Sequence, residues 1–353
     1  MNKRYSHELT AWDLPKKGER SIHLGRVAES NHEAYFDIDE LTKHAIIAGS
    51  TGGGKTVTAQ VIAEEALQKN IQVLVIDPTA QWTGFLKPLD DQKIQKKFEY
   101  FGINKNNTHG YPTNILKLHK ENTNITQFPS LNTGEITVWL AHDLREYEID
   151  RVVTGLINSV FKETPNETQQ LKTILIFEEI HRILRKYGGT GVALRALERA
   201  VREFRKWGIG IILISQVLED FDLEIRANIG TEFQMRTSYE EDLEKVRLKY
   251  GDATAKAVVR EETGTAMLHN SNYNIGRPYF VQIRPTYHDF NRLSDSEFKR
   301  ITAIYQKIEE FEASKKLTEE DTLNIKLTKR EISRGNVRTA ETYVDEISER
   351  KTI

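Results

Sequence analysis

Eight consecutive residues constrain this chain more than any others: Gly49-Ser50-Thr51-Gly52-Gly53-Gly54-Lys55-Thr56. An apolar run at 44–48 leads into them, and Val57, Val61, Ile62 and Ala66 follow at helical spacing. Strand, glycine turn and helix in that order put a helix N-terminus at the carboxyl end of a strand. Backbone N–H groups and the helix dipole favour an anion there. The eight residues match G-x-x-x-x-G-K-[ST], the P-loop. Its glycines let the backbone turn N–H groups onto a β-phosphate. Lys55 would reach the β- and γ-oxygens, and Thr56 would give its hydroxyl to Mg²⁺. A chance glycine-rich turn would lack these two flanks. The expected nucleotide-binding set is therefore Gly49, Ser50, Thr51, Gly52, Gly53, Gly54, Lys55, Thr56 and Val57, with ATP and Mg²⁺ as its ligands.

The rest of the chain repeats the alternation of apolar run and amphipathic helix. Runs at 73–76, 136–140, 174–177 and 209–215 read as strands, and 149–161 and 192–206 as helices. Strands apolar on both faces, alternating with helices, indicate a mainly parallel sheet covered on both sides. Residues 1–20 read as a poorly ordered arm, and 21–27 with 34–38 as a small β element, giving an N-terminal region 1–40. A core domain, 41–285, carries a polar insertion at 84–130 that is expected at the sheet edge or protruding from it. Within it, 232–236, 265–269 and 279–283 extend the sheet. The extension 286–353 is charged and helical, with Phe298, Ile301, Ile304, Tyr305 and Ile308 as one apolar stripe and 315–353 as helix and tail.

Three further patterns carry chemistry. Ile174-Leu175-Ile176-Phe177 ends in Glu178-Glu179, an apolar strand delivering two carboxylates, the Walker B arrangement. One acid serves the metal (Glu178) and the next the attacking water (Glu179). The structural alternative is a helix whose first turn prefers acids. The strand at 209–215 ends in Gln216, a γ-phosphate sensor or an amide that satisfies the strand end. On a wheel of about 100° per residue, Leu194, Leu197, Val201 and Phe204 share an apolar arc. Arg195, Arg199, Arg202 and Lys206 form a basic stripe beside it, and Arg205 lies apart at the border of the arc. The stripe reads as a solvated face. Arg205 either meets the helix C-terminal dipole or crosses a subunit boundary as an arginine finger. Arg185 and Lys186, in the glycine-rich segment 185–191, are candidates for gripping a DNA backbone or belong to an ordinary turn.

Composition excludes other chemistries. The chain has no cysteine, which removes disulfides, thiolate zinc sites, Fe–S clusters and a Cys nucleophile. The ten histidines show no metal-binding spacing and read as structural, His44 and His181 included. No apolar run reaches the roughly 18–20 residues of a membrane span, and no signal-peptide pattern opens the chain. A cytoplasmic protein without membrane insertion is expected. A formal net charge of −2 gives no global argument for nucleic-acid binding.

Together these residues resemble the HerA/FtsK group of P-loop ATPases, and HerA more closely. Residues 41–56 are similar to the family's R-H, apolar run and P-loop. Asp77-Pro78-Thr79-Ala80-Gln81-Trp82 stands at a D-P-H-G-E-Y-like motif, with Gln81 in place of an acid. Glu178-Glu179-Ile180-His181 stands at D-E-A-H, with Glu178 in place of Asp. Arg205-Lys206-Trp207-Gly208, leading to Gln216, is similar to an R-K-x-G strand ending in S-Q. The likeness covers about 40–285.

It implies a RecA-like α/β P-loop NTPase core, with a short N-terminal β element in place of HerA's β-barrel and C-terminal helices. It further implies a homohexameric ring that translocates or remodels double-stranded DNA by hydrolysing ATP, and a nuclease or other effector as partner. Lys55, Thr56, Glu178 and Glu179 would serve the nucleotide, Gln216 as sensor and Arg205 as a finger in trans. Two other readings fit the same fold: a secretion, conjugation or packaging motor acting on protein or nucleoprotein, and a slow nucleotide-gated assembly subunit.

Overall fold

The apolar runs that read as strands all join one sheet in the computed structural model of the chain. The structure describes residues 5, 9–183, 191–217, 221, 223–314 and 317–352. By compactness they divide into two units, Met1–Thr79 with Leu116–Pro285, and Ala80–Ile115 with Thr286–Ile353.

The chain opens with the hairpin β1 (Ser21–Val27) and β2 (Glu33–Asp37), then β3 (Ala45–Ala48), α1 (Lys55–Gln68) and β4 (Gln72–Asp77). After the short α2 (Gln92–Gln95) come β5 (Thr113–Lys117), β6 (Ile136–Leu140), α3 (Glu146–Glu163) and β7 (Thr168–Phe177). Next are α4 (Val192–Glu203), β8 (Trp207–Ser215), the single turn α5 (Leu223–Arg226) and β9 (Thr231–Met235). Then follow α6 (Glu240–Tyr250), α7 (Asp252–Val259), β10 (Thr265–Asn270) and β11 (Tyr279–Ile283). The last helices are α8 (Asp295–Ala313), α9 (Glu319–Ser333) and α10 (Val337–Thr352).

The strand order is β2-β1-β11-β10-β9-β3-β8-β7-β4-β6-β5. From β9 through β6 the pairs are parallel; β10, β11, β1 and β2 pair antiparallel. This is the mainly parallel α/β sheet expected from the two-faced apolar runs. Ile46, Leu74, Ile76, Leu175, Phe177, Ile211 and Leu213 face a core built with Val152, Leu156 and Val160 of α3 and Leu197 and Val201 of α4. The intervening Ile47, Val73, Val75, Ile174, Ile176, Ile212 and Ile214 are equally buried, and α1 packs against β3, β4 and β8. Strict alternation with both sets buried is what a sheet covered on two sides requires.

Sequence periodicity needed correction in four places. The strand expected at 174–177 begins at Thr168. The helix expected to run to Lys206 ends at Glu203, and Phe204–Lys206 tighten to a 3₁₀ turn. Helices α6 and α7 fall where only strands were expected; α6 buries just Asp242, Leu243 and Val246, too few positions for a helical stripe to show. Residues after 317 form two helices rather than helix and tail. Thr318 and Asp321 start α9 with a reciprocal capping box. The N-terminal arm is anchored where it is described: Tyr5 is buried with its ring 4.8 Å from Phe280, and Thr10 N donates to Asn274 Oδ1.

Within the second unit, Ile301, Ile304 and Ile308 of α8 pack with Ile325 and Ile332 of α9 and Val344 and Ile347 of α10 around Leu86. Leu89, Phe98, Phe101 and Ile103 pack with Tyr287 and Phe290. The polar segment after Ala80 thus shares its core with the C-terminal helices.

His44, at the entrance to β3, is fully buried. Its Nδ1 accepts from Ile211 N at 3.1 Å and its Nε2–H donates to Val201 O at 3.0 Å. Burial, with the nearby Arg205 charge, pulls the imidazole down to about 4, although the Val201 carbonyl opposes this. The folded protein therefore binds fewer protons than the unfolded chain between that value and the ordinary 6.5, and stability falls with falling pH. From pH 7 to 5.5 this residue alone is expected to remove about 1 kcal/mol. Urea midpoints across that range measure it, and His44→Gln should flatten part of the slope.

Candidate nucleotide site

The P-loop strand β3 ends at Ala48, and α1 begins at Lys55 with Gly54 as N-cap. Gly49 adopts φ 143°, and a Cβ there would lie 2.7 Å from Met235 Cβ. Gly54 adopts φ 106°, which L side chains rarely take. The end of β9 and the turn before β10 wall the loop: Ser50 N donates to Arg236 O at 2.9 Å, and Gly264 N to Gly53 O at 3.1 Å.

Lys55 is buried, and its Nζ donates to Gly49 O at 2.8 Å and Ser50 O at 3.3 Å. Burial draws its ammonium below the ordinary lysine range, against the pull of Glu179 and Glu178. Thr56 Oγ1 donates to Glu178 Oε1 at 2.9 Å across 122 positions of sequence. Glu178 is itself buried and its N–H donates to Ile76 O at 3.1 Å, so β4 fixes the end of β7.

Glu179 stands beside it in a left-handed conformation, φ 49°. Such backbone costs about 1–3 kcal/mol in a non-glycine residue and persists where its surroundings hold it. Its Oε2 lies 3.0 Å from His181 Nδ1 and 3.4 Å from Gln216 Nε2. Burial alone would raise the Glu179 carboxyl; His181, Lys55 and Gln216 outweigh it and hold the group below the ordinary glutamate range. Gln216 is brought here by topology, because β8 is the strand between β3 and β7.

The structure thus gathers Lys55, Thr56, Glu178, Glu179 and Gln216 at one edge of the sheet. Arg205 is not among them. It is exposed in the turn before β8, at the opposite edge, roughly 30 Å along the strand from Gln216. Arg185 and Lys186 lie outside the described residues. Asp77, at the end of β4, is buried, and its Oδ1 accepts from Thr79 N and Oγ1, both at 2.8 Å, shaping the turn there. His181, read from sequence as structural, is the residue that reasoning missed. Its position two after Glu179 was the available signal. Nothing local marked Arg236 and Gly264 as walls of the loop.

A P-loop between a strand and a helix, with a second strand delivering paired acids to its threonine, defines a RecA-like P-loop NTPase. A family model described as "Helicase HerA, central domain" matches residues 22–339, and the chain belongs to that HerA-type P-loop ATPase family. Among solved structures it is similar to VirB4 of Thermoanaerobacter pseudethanolicus, with 12% identity over 75% of this chain and 96% of that one and a TM-score of 0.50. The genome packaging NTPase B204 from Sulfolobus turreted icosahedral virus 2 matches at 12% identity over 69% and 96%, TM-score 0.44. The pCW3 conjugation coupling protein TcpA matches at 13% identity over 84% and 72%, TM-score 0.44. At such identities the likeness speaks for the fold alone. No curated protein matches the sequence. Among the described residues no helix is long and apolar enough to cross a membrane.

Proposed function

We propose that the chain is an ATP-hydrolysing motor that assembles into a ring and translocates or remodels double-stranded DNA. The observation that carries the hydrolytic part is the meeting of Thr56 with Glu178, with Glu179 and Gln216 alongside. The DNA part rests on membership in a family described by a helicase.

In this reading residues 49–57 cradle the phosphates, and Lys55 leaves the loop carbonyls for the β- and γ-oxygens. A hydroxyl and a carboxylate in contact are a hard-oxygen pair of the kind that suits Mg²⁺, which otherwise takes water and phosphate oxygens. Thr56 and Glu178 would hold the ion, which neutralises phosphate charge when bound. Glu179 takes a proton from the water whose oxygen bonds to the γ-phosphorus. The bond from that phosphorus to the β–γ bridging oxygen breaks, releasing ADP and phosphate. Gln216 senses the γ-phosphate from between the two strands. Arg205, remote from its own site, serves a neighbour's, so turnover requires the ring. Arg185 and Lys186 grip the DNA backbone.

Steady-state ATPase against protein concentration, with and without linear duplex DNA at two salt concentrations, tests this. The rate per subunit is expected to rise with concentration, and DNA to raise it further at low salt, because counterion release weakens phosphate contacts as salt increases. Adding Arg205→Ala protein to wild type should depress the rate more than in proportion. Hydrolysis indifferent to DNA at both salts would overturn the DNA reading and point to a protein partner. Linear dilution by the variant would remove Arg205 from the neighbour's site.

A further inference from the structure

We propose that the groove between α3 and α4 is a docking site for an acidic peptide segment of a partner protein, one that carries an apolar side chain between carboxylates.

Both helices pack on the same face of the sheet, where Leu156 and Leu197 share one core. The outer side of α3 is left as a groove of about 690 Å³, walled by Val192 and Arg199 of α4 and by residues 124–126. That is within the usual range of binding sites, about 300–1,000 Å³. Gly155 sets the second wall: a Cβ there would come 2.7 Å from Ile125 O, so the absence of a side chain lets the loop lie against the helix. Ile125 and Phe161, both partly buried, give the groove apolar walls.

Three cations line it: Arg151 and Lys162 on α3, and Arg199 on α4. All three are exposed, and among the described residues none forms an ion pair. The acid that lines the groove, Asp150, is buried and accepts from Ala193 N at 3.1 Å, which ties it to the start of α4. The groove therefore has a surplus of positive charge on a chain whose formal net charge is −2. Arg199 holds its guanidinium carbon 3.7 Å from the centre of the Phe161 ring. Stacking keeps the planar fork over the apolar wall, ready for bidentate contact with a carboxylate.

Residues 151 and 162 differ by eleven positions, which returns to the same side of the helix and spans about 16 Å. An extended peptide covers that length with about five residues. Because Arg199 sits on Phe161, next to Lys162, two cations mark one end of the groove and Arg151 the other. The matching segment has a pair of acids at one end, a single acid at the other, and an aromatic or branched side chain between. Duplex DNA offers cations a rod of phosphates but leaves apolar walls uncovered. A peptide with acids around an apolar residue satisfies both.

Fluorescence anisotropy with the full chain and a panel of short fluorescein-labelled peptides tests this. Each peptide carries one phenylalanine, with a pair of glutamates on one side and a single glutamate on the other, separated by about three to seven residues. At low salt at least one should bind about tenfold more tightly than its counterpart with glutamines for glutamates, and about tenfold more tightly than that with serine for phenylalanine. Arg199→Glu together with Lys162→Glu should weaken it by at least about tenfold. Arg202→Glu reverses a charge on the same helix outside the groove, and should leave the affinity within about twofold. Circular dichroism establishes that each variant is folded. A panel without any preference for carboxylates, or equal losses from Arg202→Glu and the groove variant, would overturn the proposal. So would a groove variant that weakens binding of linear duplex DNA and leaves the peptides bound as before, which would assign the cations to DNA. A groove variant that changes only the sedimentation of the chain would overturn it in favour of a second copy.

Discussion

Replacing Lys55 with alanine is expected to leave a folded protein that has lost ATP hydrolysis by at least about 100-fold, roughly 3 kcal/mol of transition-state stabilisation. The side chain is buried at the base of the loop, donating to Gly49 O and Ser50 O. It is therefore a preorganised cation in a site of low polarity, where a charge acts far more strongly than in water. Its removal takes away the cation expected to meet the charge spreading over the γ-phosphate oxygens. Stability should change little, because burial already draws the Lys55 ammonium below its ordinary range, so removing it relieves a desolvated charge while costing Gly49 O its donor. ATPase assays and thermal melts of the same preparation separate the two effects. Wild-type turnover in Lys55→Ala would sink the assignment of this loop as the phosphate site.

Arg284 should give the largest loss of stability. Its guanidinium is fully buried and bridges Glu64 at 2.8 Å and Glu65 at 2.9 Å, both on α1, while Nε donates to His23 O at 3.1 Å. One residue at the end of β11 thereby ties the P-loop helix to β1. Arg284→Met would leave two carboxylates buried without their cation, at a cost of about 3–5 kcal/mol. Arg284→Lys keeps the charge but not the planar fork that serves both acids, and should recover only part of it. Urea denaturation measures both variants. A loss under about 1 kcal/mol in Arg284→Met would show that water reaches the acids. Changing Glu64, Glu65 and Arg284 together to apolar residues should cost less than the single change, since no charge is then left alone.

The strand–loop–helix around Lys55 was legible because its chemistry is local: glycine tolerates the turn, and the apolar residues either side carry their own periodicity. The acids at Glu178 and Glu179 were legible for a similar reason, since an apolar run that stops at two carboxylates marks a strand end at the sheet's edge. Helix α6 was not legible, because it buries only Asp242, Leu243 and Val246, and α7 spans just eight residues, too short for a helical period to stand out. Residues after Thr318 form helices whose apolar positions are spaced among charges and gain meaning only as they pack on Ile301, Ile304 and Ile308. The polar segment 84–130 read as an insertion at the sheet edge or protruding from it; that its Leu89 and Phe98 pack with Tyr287 and Phe290, far away in sequence, no local pattern showed.

By itself the sequence determined the class of fold and the loop that would hold a phosphate, because both follow from the conformational preferences and burial period of adjacent residues. Tertiary structure decided the rest. Insertion of β8 between β3 and β7 carries Gln216 to Glu179 and leaves Arg205 at the far edge. A left-handed turn at Glu179 brings the ring of His181 to the carboxylate. A buried arginine locks α1 to β1 and β11. Strand order and such contacts depend on which apolar faces and hydrogen-bonding edges meet across the whole chain. No local pattern of residues encodes that meeting.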